Sequence, residues 1–276
     1  MRPVMRVSFT KMHGLGNDFV VLDARETALP DMTPAKAKAL ADRNTGIGCD
    51  QLILLEPASE GSDADFLMRI FNHDGGEVEA CGNATRAVAM LHGVPASIAT
   101  SGGLLRADPI AGGASVDMGE PRLGWEAIPL AYAMDTLSLP LGWEDLQNPV
   151  GVNVGNPHAV FFVPDTQLID LETLGPLIEH DPVFPERVNV NVASVIDRQT
   201  VALRVWERGV GETRACGTGA CATAIAAMRR GLTNREVEIR LAGGNLTIGW
   251  GEDNRITMTG PATESFRGSF EWDDFG

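Results

Sequence analysis

A chain of 276 residues, 44% hydrophobic and 21% charged, can build one large domain or two small ones, each with its own core. Its formal net charge of -15 repels nucleic acid and anionic lipid, so neither is expected as a partner. No apolar run reaches the roughly 18 residues of a membrane helix. Met1–Thr10 lacks the apolar centre of a signal peptide, so the chain is expected in the cytoplasm.

In chain order, alternating apolar runs predict strands over Val4–Phe9, Phe19–Asp23, Gln51–Glu56, Asp65–Asn72 and Ser115–Gly119. A second set covers Val150–Val154, Ala159–Val163, Asn189–Ile196, Val201–Trp206, Val237–Leu241, Leu246–Trp250 and Arg255–Thr259. Thr33 followed by Pro34 opens a helix over Pro34–Arg43, and a shorter one spans Leu171–His180. Two Ala-rich helices, from Gly82 to His92 and from Gly217 to Arg230, end at Gly93 and Gly231. Both are apolar on nearly all sides, the pattern of a helix enclosed by strands.

These two helices sit in a repeat. Gly76-Glu77-Val78-Glu79-Ala80-Cys81-Gly82 matches Gly211-Glu212-Thr213-Arg214-Ala215-Cys216-Gly217 at five of seven positions, and 216 − 81 = 135 residues is close to half the chain. The expected organisation is two homologous halves related by a pseudo-two-fold axis, joined by the proline-containing crossover Leu123–Pro149. The halves are placed at residues 1–125, completed by 265–276, and 126–264.

The cysteines are Cys49, Cys81, Cys216 and Cys221, with no C-x-x-C pair, so thiols are expected and a zinc site is not. A cysteine near an Ala-rich helix is ordinarily a small buried hydrophobe, and Cys49 and Cys221 keep that reading. The duplicated context sets Cys81 and Cys216 apart. A thiol at a helix start meets unpaired N–H groups and the positive end of the dipole, which is expected to lower its pKa below the usual ~8.5. The same N–H groups can hold a carboxylate. Two such ends aimed at one ligand suit inversion of a stereocentre: one thiolate removes the α-proton and the opposite thiol delivers another. No lysine stands in a setting suggesting a pyridoxal phosphate site, and without close ligand pairs no metal is expected.

The motifs themselves resemble one family. They are Lys11-Met12-His13-Gly14-Leu15-Gly16-Asn17-Asp18-Phe19, Thr45-Gly46-Ile47-Gly48-Cys49-Asp50-Gln51, and Ala80-Cys81-Gly82-Asn83-Ala84-Thr85-Arg86. Gly155-Asn156-Pro157-His158, Phe184-Pro185-Glu186-Arg187-Val188-Asn189 and Glu207-Arg208-Gly209-Val210-Gly211-Glu212-Thr213 follow, the last continuing to Ala215-Cys216-Gly217-Thr218-Gly219. In this order they resemble diaminopimelate epimerases over essentially the whole chain. One departure is Ala87, where many members carry another cysteine.

The resemblance implies interconversion of LL- and meso-diaminopimelate without a cofactor, on the route to lysine and peptidoglycan. It implies an α+β fold of two pseudo-symmetric domains, each a barrel-like mixed or antiparallel sheet around a central helix, with the final segment returning to the first domain. A homodimer is also implied. By position, Cys81 and Cys216 would be the two bases. Gly82, Asn83, Gly217 and Thr218 would be the helix starts that grip the reacting carboxylate. Asn17, Gln51, Asn72, Asn156, Asn189, Glu207 and Arg208 would be further substrate contacts, with His158 and Glu207 as polar partners near the reacting centre. An asparagine offers donors and an acceptor without charge, so a ring of them can read a zwitterion, and Arg208 can clamp a distant carboxylate. His13, His73, His92 and His180 are read as ordinary surface or packing residues. The alternative is a proline or hydroxyproline racemase of the same fold; those typically carry His where Asn83 stands. The acidic, aromatic segment Ser265–Gly276 is expected to cover an edge, form a subunit contact or fray.

Overall fold

The structure is a computed structural model that describes residues 5–79 and 81–275. Val4 of the first expected strand, Ala80 of the repeated motif and Gly276 of the tail lie outside them. The chain divides into two compact units, Met1–Val116 with Gly260–Gly276, and Asp117–Thr259. The sequence reading sets the junctions after residues 125 and 264. The packing sets them earlier, because Met118 and Gly119 hydrogen-bond Ile256, and Arg122 exchanges backbone bonds with Asn153.

The first unit runs β1 (Arg6–Gly14), β2 (Asn17–Asp23), α1 (Pro34–Ala41), β3 (Gln51–Pro57), β4 (Phe66–Asn72), β5 (Glu77–Val78), α2 (Gly82–His92), β6 (Ala96–Thr100), β7 (Gly103–Ile110) and β8 (Gly113–Asp117). β1 and β2 are antiparallel, β2 and β3 parallel, and β3 and β4 antiparallel. β4 then pairs antiparallel with β5 and parallel with β6, which turns back antiparallel as β7.

The second unit begins with a small hairpin, β9 (Gly142–Trp143) and β10 (Leu146–Gln147). It continues β11 (Val150–Asn153), β12 (Pro157–Phe162), α3 (Leu171–Glu179), β13 (Asn189–Asp197), β14 (Thr200–Glu207), β15 (Gly211–Thr213), α4 (Gly217–Arg229), β16 (Glu236–Leu241), β17 (Gly244–Trp250) and β18 (Ile256–Pro261). From β11 onward its pairings repeat those of the first unit in order and direction. The repeat seen in seven residues is therefore a repeat of whole sheets. The fold is α+β, mostly sheet, in two pseudo-symmetric parts.

Each repeat encloses its Ala-rich helix. Ala84, Ala87, Val88 and Ala89 of α2 are buried, as are Ala220, Cys221, Ala222, Ala224, Ile225, Ala226 and Ala227 of α4. Small side chains let strands approach the helix on several sides: β1, β2 and β7 lie against α2, and β11 to β14, β16 and β17 against α4. Each helix has a cysteine as N-cap in extended conformation, Cys81 at φ -145° and Cys216 at φ -128°. Left-handed Gly93 closes α2, while α4 ends on Arg230 just before Gly231 at φ 68°.

The tail is a strand, not a frayed end. β19 (Thr263–Glu271) pairs antiparallel with β1 from His13↔Thr263 to Arg6↔Glu271. Phe9 lies over Gly268, where a Cβ would come within 2.5 Å of the ring. Phe270 and Trp272 join the first unit's core with Val7, Leu22, Leu40 and Leu54. Lys36 donates to the Trp272 carbonyl at 2.7 Å and stands 4.4 Å over the indole. β5, β6, β7, β15 and β19, and the hairpin of β9 and β10 in the expected crossover, were not among the expected strands. β7 does alternate in burial, with Leu105, Ala107 and Pro109 inward, but apolar Leu104 and Ile110 lie on its exposed face and mask that period in the sequence.

Candidate active site

In the first unit the register brings the predicted residues to one end of the sheet. Asn17 opens β2, Gln51 opens β3 beside Phe19, and Asn72 closes β4 opposite Gln51. Gln51 Nε2 donates to Asn72 Oδ1 at 3.0 Å, and Gln51 Oε1 is buried with no partner among the described residues. The start of α2 meets the same end. Asn17 Oδ1 accepts from Cys81 Sγ at 3.8 Å and from Asn83 Nδ2 at 3.3 Å. Buried Asn83 in turn accepts from Arg86 Nη2 at 2.9 Å. β1 crosses so closely here that a Cβ on Gly14 would stand 3.2 Å from Arg86 Nη2.

Beneath Asn17 lies an ionic cluster. Asn17 Nδ2 donates to Asp50 Oδ2 at 3.1 Å, and Asp18 and Asp50 exchange backbone N–H bonds with each other's carboxylates. Arg43 bridges both acids at 2.6 and 2.7 Å, and Lys11 holds Asp18 and the Gly48 carbonyl. Burial raises the Asp18 pKa, but bonds from Arg43 and Lys11 outweigh it and leave it at about 2.

In the second unit Asn156 lies in the turn just before β12, and His158 of β12 is in register with Asn189 of β13. Asn191 Nδ2 donates to His158 Nδ1 at 2.9 Å, so the ring carries its proton on Nε2 and donates to Asn156 Oδ1 at 2.9 Å. The ring is fully buried, which together with nearby Arg208 takes its pKa down to about 3 despite the Asn191 bond. His158 is a neutral orienting group at physiological pH. Asn189 donates to the Pro157 carbonyl and accepts from Arg208 N, while Arg208 Nη1 donates to the Glu186 carbonyl.

The Cys216 thiol is 3.3 Å from Gly219 N and 3.5 Å from Thr218 Oγ1. It is buried, and burial followed by the Glu207 carboxylate drives its pKa well above normal. This reverses the expectation of an acidified thiol. One N–H bond and a helix dipole do not offset the loss of water around the anion and a carboxylate alongside. Burial also raises Glu207, which is held by the Thr213 hydroxyl at 2.5 Å and hydrogen-bonded to Cys216.

The predicted residues thus fall into two groups, one in each unit. Asn17, Gln51, Asn72, Gly82 and Asn83 accompany Cys81, and Asn156, His158, Asn189, Glu207, Arg208, Gly217 and Thr218 accompany Cys216. Cys49 and Cys221 are buried, and burial raises the Cys49 thiol to about 11. No cluster among the described residues has the donors for a metal ion.

Several supporting residues were missed. Asn191, one step of the period-two pattern beyond Asn189, carried a readable signal. Glu179 carried a fainter one, an acid in the last turn of a helix. Its buried carboxylate accepts from Trp206 Nε1 at 2.8 Å and Gly209 N at 3.0 Å, pinning the turn that presents Glu207 and Arg208.

Two matched units, each opening its central helix on a cysteine N-cap followed by glycine and a polar residue, suit an isomerase of duplicated halves. A family model described as diaminopimelate epimerase matches residues 9–124 and 150–264. A diaminopimelate epimerase from Erythrobacter litoralis is 68% identical over 98% of this chain and 100% of its own. Another from Rhizorhabdus wittichii is 60% identical over 99% and 98%. Among solved structures, a hydroxyproline epimerase from Agrobacterium vitis aligns with a TM-score of 0.67 at 16% identity, covering 99% of this chain and 95% of that one. That likeness is one of fold. The chain belongs to the diaminopimelate epimerase family.

Proposed function

We propose that this protein interconverts LL- and meso-diaminopimelate, with Cys81 and Cys216 as the two acid–base groups acting on one α-carbon. The observation that carries the reading is the paired helix start: twice, in topologically equivalent places, a cysteine caps an enclosed helix. In one direction a thiolate takes the α-proton and the opposite S–H supplies another to the resulting carbanion. In the other direction the roles exchange. The N–H groups of Gly82 with Asn83 and of Gly217 with Thr218 hold the reacting carboxylate, where the developing charge is greatest. No pyridoxal phosphate is needed in this scheme, because fixed donors in a dry site carry the stabilisation.

Cys216 is a thiol at rest, so it begins as the proton donor. When it must act as base, Glu207 is the acceptor in contact with it, and the carboxyl's raised pKa makes that transfer less uphill. Asn17, Gln51, Asn72, Asn156, Asn189 and Arg208 read the rest of the zwitterion. His158 fixes the Asn156 amide. The proposed location is the cytoplasm and the proposed assembly a homodimer, with Phe266, exposed on β19, in the contact.

The test is turnover and α-hydrogen exchange in deuterated water with diaminopimelate and, separately, proline. Cys81→Ser and Cys216→Ser should each lose at least about a thousandfold in kcat, since a hydroxyl is a far weaker acid–base group. Near-native epimerisation by either variant refutes the two-thiol scheme, and exchange into proline alone moves the substrate to the other branch of the fold.

A further inference from the structure

Two asparagine side chains beside Cys81 could each sit either way round, since amide oxygen and nitrogen have nearly the same shape. Their neighbours remove that freedom. Asp50 accepts from Asn17 Nδ2, and an ionised carboxylate can only accept. Arg86 donates to Asn83 Oδ1, and a guanidinium can only donate. Between these ends Asn83 Nδ2 donates to Asn17 Oδ1. Every bond therefore runs one way, from Arg86 through Asn83 and Asn17 to Asp50. Both ends are themselves held: Asp50 by Arg43 and the Asp18 N–H, Arg86 by the Pro261 carbonyl in a fully buried position.

We propose that Asp50 and Arg86 are positioning residues for Cys81, locking the Asn17 amide so that its carbonyl, not its NH2, faces the sulfur. The thiol then has an acceptor for its S–H, and proton transfer starts from one defined direction. An NH2 in that place would instead stabilise the thiolate. The inference rests on Cys81 being an acid–base group of the reaction proposed above.

The experiment exploits a chemical asymmetry. Asp50→Asn keeps the shape of the side chain but can donate as well as accept, so it unlocks the chain. Asp18→Asn removes the same unit of charge from the same Arg43 bridge without touching the Asn17 amide. The full-length protein is treated with iodoacetamide at pH 7, and labelling of Cys81 is followed by peptide mass spectrometry. Asp50→Asn should label at least about fivefold faster and lose roughly tenfold in kcat with a smaller change in KM; Asp18→Asn should stay within about twofold in labelling. Equal acceleration in both variants makes the effect one of charge alone and overturns the proposal, as does labelling of Asp50→Asn within twofold of native.

If Asp50→Asn does not accumulate folded, the other end asks the same question. Arg86→Gln can present oxygen or nitrogen and should accelerate labelling, whereas Arg86→Lys can only donate and should not. The reverse order overturns the proposal. Labelling needs no substrate, so a native protein inactive on diaminopimelate would defeat the proposed function while leaving this comparison standing.

Discussion

His158 and Cys216 show the same force acting on groups of opposite charge type. Burial raises the thiol and lowers the imidazole, because it penalises the charged form of each. For His158 a consequence for stability follows. An exposed histidine titrates near 6.5 and the folded one near 3, so between those values the unfolded chain binds a proton that the folded one does not. The stabilisation is complete above about pH 6.5 and is lost as pH falls towards 3. His158→Gln, which keeps polar atoms but not the titration, should therefore lose less stability on acidification. Urea unfolding at pH 7.5 and 4.5 should show a native loss larger by on the order of 3 kcal/mol. Parallel losses would mean that His158 titrates normally. The cysteines, asparagines, Glu207 and Arg208 were readable as site candidates because motifs mark them. Their protonation was not, since solvent exclusion around Cys216 comes from strands distant in sequence.

At the level of elements, α3 and the end of β14 form one working piece. Gly175 and Glu179, one helical turn apart, face Trp206: a Cβ on Gly175 would meet the indole at 2.4 Å, and Glu179 takes its N–H. Glu179→Ala strands two donors, Trp206 Nε1 and Gly209 N, at a cost of roughly 1–3 kcal/mol each. Urea denaturation should show that loss, and KM for diaminopimelate should rise as the Glu207–Arg208 turn loosens. An unchanged KM with reduced stability would reduce Glu179 to a packing role. Helices were legible in the sequence through their caps: Thr33 and Pro34 start α1, and Gly93 stops α2. α1 stops at Ala41 rather than Arg43, and the hairpin of β6 and β7 escaped notice although Ser101-Gly102 marks its turn. Apolar side chains on an exposed face, Leu104 and Ile110 on β7, hide the period that burial itself keeps.

Over the whole chain, duplication was legible from seven residues, and the matching order of strand pairings extends it to every sheet neighbour from β11 to β17. The pairing of β19 with β1 was not legible, because it joins positions some 250 residues apart and no local pattern encodes a partner. Phe266 and Phe270 on β19, with Trp272 just past its end, recur at even spacing, a period-two signal that the expectation of an edge cover, subunit contact or frayed tail did not use. If Phe266 lies in a subunit contact, Phe266→Asp should shift the sedimentation mass from dimer to monomer without unfolding the protein. A native chain that sediments as a monomer would end the dimer proposal.

The return of β19 also bears on synthesis. A ribosome delivers β1 first and its long-range partner last, after the entire span Asp117–Thr259 has emerged. The second unit's strands are complete while the first still has an unzipped border, so the later half should mature earlier. Arrest-peptide force profiles along the nascent chain should register the second unit's folding before the first unit's, which waits for β19 to emerge. A purification tag fused after Gly276 would weigh on the unit that β1 opens.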